Sequence, residues 1–244
     1  IYRVALQVRT DKGCLDSIKK QVKVNDKPNV EFSFENICEG DTVHFKNQTT
    51  ITTGSISYKW YFGDNQSSEE ENPSHHYNQH GSYKVKLIAT TTEGVRDSVI
   101  HLVEVYPHAN LDFSFNNVCE NQAAQFFNKS EIAEGSMNFY WNFGDGQTSS
   151  ALNPEHSYSD YGSFPVTLSS ISDKQCKDTI IREIRVNPNP TADFMVKHLP
   201  YQTPSEFYDS SLVPEGKLKK WTWNFGDGNS SDDRNPVHLY ASPG

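Results

Sequence analysis

Aromatic and aliphatic residues fall at every second position in short runs along this chain. Tyr58, Trp60 and Phe62 form one run, Phe139, Trp141 and Phe143 a second, and Trp221, Trp223 and Phe225 a third. Tyr83, Val85 and Leu87 repeat the pattern, as do Tyr2, Val4, Leu6 and Val8, and Phe32/Phe34, Val43/Phe45 and Val103/Val105 add shorter pieces. Successive side chains of a strand point to opposite faces, so this alternation predicts strands with one buried and one wetted side. No segment shows the stripe of a helix. Turn chemistry separates the runs: in "WNFGDG", glycine reaches positive φ and aspartate bonds the backbone two residues on. Short alternating strands punctuated in this way predict an all-β chain of antiparallel β-sandwiches, about seven strands to each. Pro165 lies inside "SFPVTL", where it cannot donate to a ladder, so a bulge or a solvent-facing nitrogen is expected there.

The larger pattern is repetition. "KWYFGDNQSSEEENPSHHYNQHG" (59–81), "YWNFGDGQTSSALNPEHSYSDYG" (140–162) and "TWNFGDGNSSDDRNPVHLYASPG" (222–244) are edited copies of one string. Trp60, Trp141 and Trp223 are spaced by 81 and 82 residues, too long for the unit of a solenoid and suited to one small domain. "VEFSFENICEGDTVHFKNQTT" (30–50) and "LDFSFNNVCENQAAQFFNKSE" (111–131) align in the same register, and strand-like tails follow Gly81 and Gly162. The opening "IYRVALQV" matches those tails, and the last copy closes on Gly244. The expected domains are residues 26–106 and 107–188, flanked by the C-terminal part of a repeat at 1–25 and the N-terminal part of another at 189–244. This reads as a window on a longer array; the alternative is that one molecule's tail completes the next molecule's head. The junctions "VNDKPN" (24–29), "VYPHAN" (105–110) and "VNPNPT" (186–191) each contain proline and read as stiff spacers.

Composition narrows the function classes. The chain has 22 basic and 31 acidic residues, a net charge of −9, which disfavours nucleic-acid binding and suits a soluble, self-repelling surface. No run of about 18 apolar residues exists, so no membrane span is expected. Cys14 and Cys176 share one repeat position, with Val95 between them in register, and Cys38 and Cys119 share another. Only 107–188 holds both positions as cysteine, so a Cys119–Cys176 bridge within that domain is expected. Its separation of 57 residues makes it worth about 4 kcal/mol by chain entropy. Cys38 is then left without a partner and Cys14 would pair outside the chain. Two buried thiols are the alternative. A bridge implies an oxidising, exported setting, outside the cell or on its surface.

Trp-x-Phe-Gly-Asp, then Asn-Pro-x-His-x-Tyr, then Gly-x-[Tyr/Phe]-x-Val-x-Leu resembles the PKD (polycystic kidney disease) domain across essentially the whole chain. The resemblance implies Ig-like sandwiches closed over the Trp, arranged in an end-to-end array, with no catalytic residues and no cofactor. The cysteine-bearing variant "VCENQ…QCKDT" is similar to PKD repeats of large exported proteins of Bacteroidota, among them gliding-motility adhesins and other cargo of type IX secretion. The function this implies is a non-enzymatic stalk or filament segment of a secreted cell-surface adhesin, used in gliding or attachment. The alternative is an accessory polysaccharide- or protein-binding module of a secreted hydrolase. The expected partners are neighbouring repeats of the same longer chain and, beyond them, surface glycans or proteins.

Candidate site residues follow the motif: Trp60, Gly63, Asp64 and His75; Trp141, Gly144, Asp145 and His156; Trp223, Gly226, Asp227 and His238. The aspartates are expected to cap turns, because an identical catalytic or metal site in every repeat is hard to motivate. The histidines are expected to pack or hydrogen-bond. Zinc would need further His or Cys at ligand spacing, and calcium a grouped set of oxygens. Asn65 stands where the other copies carry Gly146 and Gly228, and asparagine tolerates the left-handed conformation. Finally, Asp-[Ser/Thr]-apolar at Ser17, Thr42, Ser98 and Thr179 resembles the O-glycosylation motif of exported Bacteroidota proteins. The competing explanation is that the same triplet starts a strand.

Overall fold

The computed structural model describes residues 1–197, 200 and 202–242. These form strands, turns and loops, and no helix among them is long and apolar enough to cross a membrane. The chain divides into two compact units.

The first unit comprises Ile1–His108, Ile132–Gly135 and Asp173–Cys176. It opens with an antiparallel hairpin of Tyr2–Arg9 and Leu15–Val22, in register from Tyr2↔Val22 to Arg9↔Leu15. Every residue of both strands is exposed. A sandwich follows. Its larger sheet runs in the order Ile37–Cys38, Arg96–Tyr106, Gly81–Thr91, Ile56–Tyr61, Ser67–Ser68. Facing it are the pairs Phe32–Ser33 with Lys46–Asn47 and Thr42–His44 with Ser74–His76. Along Gly81–Thr91 the residues Val85, Leu87, Ala89 and Thr91 are buried and those between them are not. This is the period of two visible in the sequence. They close on Phe32, Val43, Phe45, Trp60 and Phe62, with the Phe32 and Trp60 rings edge to face at 4.9 Å. Each such large side chain contributes about 1.5–3 kcal/mol by leaving water.

The second unit comprises Ala109–Glu131, Ser136–Ser172 and Lys177–Gly244. Its sandwich has a five-stranded sheet in the order Val118–Cys119, Lys177–Asn187, Gly162–Ser172, Met137–Asn142, Thr148–Ser149. A three-stranded sheet of Phe113–Phe115, Ala123–Asn128 and Glu155–Ser157 completes it. Phe113, Phe126, Trp141, Leu168 and Ile184 are fully buried at its centre. The expected seven strands appear as nine segments in 26–106 and eight in 107–188, because turns break the smaller faces into pieces of two or three residues. Pro165 causes no bulge: the register with Lys177–Asn187 runs through it, pairing Pro165 with Glu183. Pairing of Met137–Asn142 with this strand ends at Asn142↔Thr167, and the Pro165 nitrogen faces Gly144 instead, so no ladder bond is forfeited.

The same unit carries a further set of strands. Phe194–Lys197, Ser205–Asp209 and Val237–His238 make a three-stranded sheet, and Trp223–Asn224 pairs with Ser230–Ser231. Trp223 is only half-buried. Phe194, Phe207, Trp223, Phe225 and Tyr240 line an open cleft of about 630 Å³. The closing Gly244 lies outside the described residues.

The disulfide differs from the expected one. Cys176 is bonded to Cys38, with Cα atoms 5.7 Å apart and 138 residues between them in sequence, and Cys14 and Cys119 are thiols. The reason lies in the strand that separates the two expected partners. Cys119 pairs with Asn187, at the last position of Lys177–Asn187, whereas Cys176 directly precedes the first. Eleven extended residues span roughly 35 Å, far beyond the ~7 Å that a disulfide bridges. The shared repeat positions identified equivalent cysteines, not neighbouring ones.

Candidate functional site

The motif residues of each copy gather around one turn. The strand Ile56–Tyr61 buries Trp60, and the chain then reverses through Phe62–Gln66, closed by a bond from the Phe62 N–H to the Gln66 carbonyl of 3.1 Å. Gly63 has φ +90°, and a Cβ there would lie 3.0 Å from the Lys84 backbone nitrogen and oxygen. Asn65 takes φ 71°, the left-handed conformation expected of it. Asp64 uses both oxygens: Oδ1 accepts the Gln66 N–H at 3.0 Å and Oδ2 meets His75 Nε2 at 2.7 Å. The imidazole stacks on Phe62 at 4.0 Å and 7°, and Tyr77 meets its edge at 4.6 Å. Tyr77 donates its hydroxyl to the Phe62 carbonyl at 2.9 Å, and Trp60 donates its indole N–H to the Glu70 carbonyl, also at 2.9 Å.

The other copies repeat this almost atom for atom. Asp145 Oδ1 accepts from Gln147 at 3.0 Å and Oδ2 meets His156 Nε2 at 2.7 Å; for Asp227 the partners are Asn229 at 3.0 Å and His238 at 2.7 Å. His156 stacks on Phe143 at 4.1 Å and His238 on Phe225 at 4.2 Å. Trp141 donates to the Ala151 carbonyl and Trp223 to that of Asp233, at 3.0 and 2.8 Å. Asn72, Asn153 and Asn235 accept the backbone N–H of Asn47, Asn128 and Asp209 at 2.8–2.9 Å. The motif proline takes part too: the carbonyls of Pro73, Pro154 and Pro236 accept the backbone N–H of Phe45, Phe126 and Phe207 at 2.9–3.0 Å.

Electrostatics keeps two of the aspartates, Asp145 and Asp227, ionised. Burial opposes the charged form of Asp145, but the Gln147 N–H and His156 outweigh it and hold the carboxyl below its usual range. The Asn229 N–H, then His238, push Asp227 down to about 2. An ionised carboxylate only accepts, so Nε2 of the imidazole carries the hydrogen in both contacts. Burial first, and the aspartate second, raise the phenols of Tyr77 and Tyr158 well above the usual tyrosine range and keep them as donors. With both carboxylate oxygens committed and the imidazole held between two rings, the cluster ties turn, strand and core together.

A family comparison accounts for the recurrence. The model of the PKD domain matches residues 25–106, 104–186 and 187–244. The chain belongs to the PKD domain family. PKD domains are non-catalytic modules, and the Asp–His clusters of this chain are part of the domain's framework. Similar proteins include pre-pro-metalloprotease PrtV of Vibrio cholerae serotype O1, 27% identical over 167 residues that make up 66% of this chain and 18% of that protein. Collagenase ColA of Bacillus cereus is 27% identical over 112 residues, 44% of this chain and 11% of that protein. The chain therefore spans less than a fifth of the length of these curated relatives. Among solved structures, the PKD1 domain of the Vibrio cholerae metalloprotease PrtV is 34% identical, covering 32% of this chain and 96% of that one, with a TM-score of 0.30.

The PKD motif residues named from sequence all sit in these clusters. The pairing of Asp with His was not foreseen, although a constant spacing of 11 residues in every copy was there to be noticed. Among the described residues no group of three or more His, Cys, Asp or Glu is placed to hold a metal ion. Ser17, Thr42, Ser98 and Thr179 are all exposed and all lie on strands, with Thr179 Oγ1 3.2 Å from Ser169 Oγ.

Proposed function

We propose that these PKD domains form a non-catalytic accessory module of a secreted hydrolase, binding its polymeric substrate or spacing the catalytic part from it. The observation that carries this reading is the similarity to parts of proteins named as a metalloprotease and a collagenase. An extracellular location agrees with those names and with the Cys38–Cys176 disulfide. Phe127, Tyr140 and Tyr161 turn large aromatic surfaces to solvent, the kind of side chain that anchors a polymer. Co-sedimentation with insoluble collagen, chitin and cellulose tests the binding role. Retention on one of them, weakened by alanine at these aromatics, supports it, and no retention on any removes it.

A second reading is a stalk segment of a surface adhesin, favoured by a covalent bond that joins residues 138 positions apart. On that reading the chain serves gliding or attachment in an exported protein of the Bacteroidota kind, and Ser17, Thr42, Ser98 and Thr179 carry O-linked sugars. The intact mass of the exported protein decides the last point: hexose-sized increments at these residues support it, and an unmodified mass excludes it.

A further inference from the structure

In the first sandwich the sheet built around Gly81–Thr91 turns one face to the core and the other to water. Cross-strand register sorts the outer face into rows. Lys84 stands opposite Leu102. The next row is Tyr61, Lys86 and Ile100, then Lys59, Ile88 and Ser98, then Ser57, Thr90 and Arg96. Each of these successive rows holds one cation beside uncharged residues. At two residues per row the cations extend over about 20 Å of sheet. Tyr61, Ile100 and Leu102 are 45–55% exposed, so apolar surface lies between the charges.

The fold does not call for this arrangement. The equivalent rows of the second sandwich are Pro165 and Glu183; Asn142, Thr167 and Ile181; Tyr140, Ser169 and Thr179; and Asn138, Ile171 and Lys177. Lys177 is the one cation among them. Lysines guard the edges of many sheets against pairing with another chain, but Lys84 and Lys86 are on the middle strand of five. Ion pairing does not account for them either. Lys59 meets Glu69 at 3.0 Å in an exposed contact of the kind that is worth little. Among the described residues Lys84, Lys86 and Arg96 have no ion-pair partner. This excess of cations belongs to a chain whose net charge is −9.

The acidic neighbours set the shape of the occupant. Glu69 flanks the rows beside Lys59, and Glu104 lies one row beyond Lys84, opposite Ser82. A broad anionic surface such as a membrane would meet these carboxylates together with the cations, whereas a narrow polymer avoids them. Its units must offer an anion to each row and an apolar face to Tyr61 and Ile100. A sugar ring bearing a carboxylate or sulfate offers both, because the C–H face of a pyranose is apolar and the acidic group projects from its rim. We infer that this face binds an acidic polysaccharide, with rings laid on Tyr61, Ile100 and Leu102 and acidic groups on Lys59, Lys84, Lys86 and Arg96. Binding displaces Glu69 from Lys59. The inference rests on the reading of these domains as a polymer-binding accessory module and gives that module a substrate class. Charge complementarity of this kind sets specificity and the rate of encounter, and salt screens it.

The test uses the 244-residue chain itself with fluorescent heparin, which is sulfated, polygalacturonate, which is carboxylated, neutral dextran and poly-glutamate. Anisotropy in low salt should show binding to heparin, polygalacturonate or both, weakening as salt rises, and none to dextran. The two acidic polysaccharides decide between sulfate and carboxylate. Lys84→Gln and Arg96→Gln, at exposed positions, should each weaken binding by up to about fivefold, as one exposed charge contact allows, and flatten its salt dependence. Both variants should melt with the parent. Tyr61→Ala should weaken binding and leave the salt dependence unchanged, a separation that charge alone does not give. Glu69→Gln, which frees Lys59, should strengthen binding. No binding in low salt, equal binding to poly-glutamate or to phosphatidylglycerol vesicles, a Tyr61→Ala chain that binds like the parent, or a loss on Lys177→Gln equal to that on Lys84→Gln would each overturn the proposal. Retention on insoluble collagen, chitin or cellulose by a chain that binds neither acidic polysaccharide would end it and leave the accessory role standing.

Discussion

Replacing Asp145 by alanine isolates the cluster on which the repeat turns. The substitution removes the acceptor of two bonds, from the Gln147 N–H at 3.0 Å and from His156 at 2.7 Å. The side chains of His156 and Asp145 are 7% and 17% exposed, so water replaces the carboxylate poorly. A bond to a charged group is worth about 1.5–3 kcal/mol net, and the partial wetting of Asp145 selects the lower end. Two such bonds give an expected loss of about 3 kcal/mol at neutral pH. Asp145→Asn keeps an acceptor for Gln147 and, once the imidazole changes tautomer, offers an amide N–H to Nε2, so it should cost about half as much. A double-mutant cycle with His156→Ala should return a coupling of about 1.5 kcal/mol. Hydrogen exchange of the Gly162–Ser172 amides, with urea unfolding followed by circular dichroism, places the loss in this domain. The pH dependence has a definite sign. The folded carboxyl titrates below its unfolded value of about 3.9, so its stabilisation is complete above that pH and fades as pH falls through the folded value. The cost of Asp145→Ala should therefore shrink in acid. A loss no larger than that of an ordinary surface change, about 0.5 kcal/mol, or one equal at neutral and acid pH, would refute the assigned role.

Trp141→Ala should cost about 3–5 kcal/mol in the same unfolding assay, since the ring is fully buried between Phe113 and Phe126; a melt unchanged within a degree or two contradicts this. Gly63→Ala should destabilise more than Gly228→Ala. Both have φ near +90°, but only at Gly63 does the added Cβ meet backbone, at 3.0 Å, and differential scanning calorimetry should rank them so. Cys176→Ser should lower stability by up to about 5 kcal/mol if chain entropy governs, and non-reduced peptide maps of the parent should show Cys38 joined to Cys176. In an NMR titration the Asp227 carboxyl should protonate near pH 2, with the His238 contact intact at pH 4.

The strands were legible because their burial follows the simplest rule available. Val85, Leu87 and Ala89 alternate with wetted residues, and the sequence shows that alternation directly. Trp60, Trp141 and Trp223 mark equivalent strands for the same reason. The turn chemistry of Asp64, Asp145 and Asp227 was legible too, through the glycines around them. The bond of each to a histidine 11 residues on was not, because it joins a turn to a separate strand that only the folded sandwich brings beside it. The cysteines failed differently. Aligning copies showed that Cys119 corresponds to Cys38 and Cys176 to Cys14, but correspondence carries no distance. The length of Lys177–Asn187, which keeps Cys119 and Cys176 apart, enters only when the strand is laid out in space.

The Cys38–Cys176 bond also has a mechanical meaning. A chain pulled from both ends lengthens as its domains unravel, and each released residue adds about 3.5 Å. The bond short-circuits the 138 residues it encloses, so roughly 480 Å of slack is unavailable to the pulling force. Tension passes through sulfur instead of through the hydrogen bonds of Gly81–Thr91, while Val30 and Phe32, which pack in the Trp60 core from outside the loop, stay on the loaded path. Cutting the backbone once inside the loop would leave the two pieces tethered. A reducing environment would put the enclosed sandwiches on the loaded path, and that hidden length would then be released as they unfold.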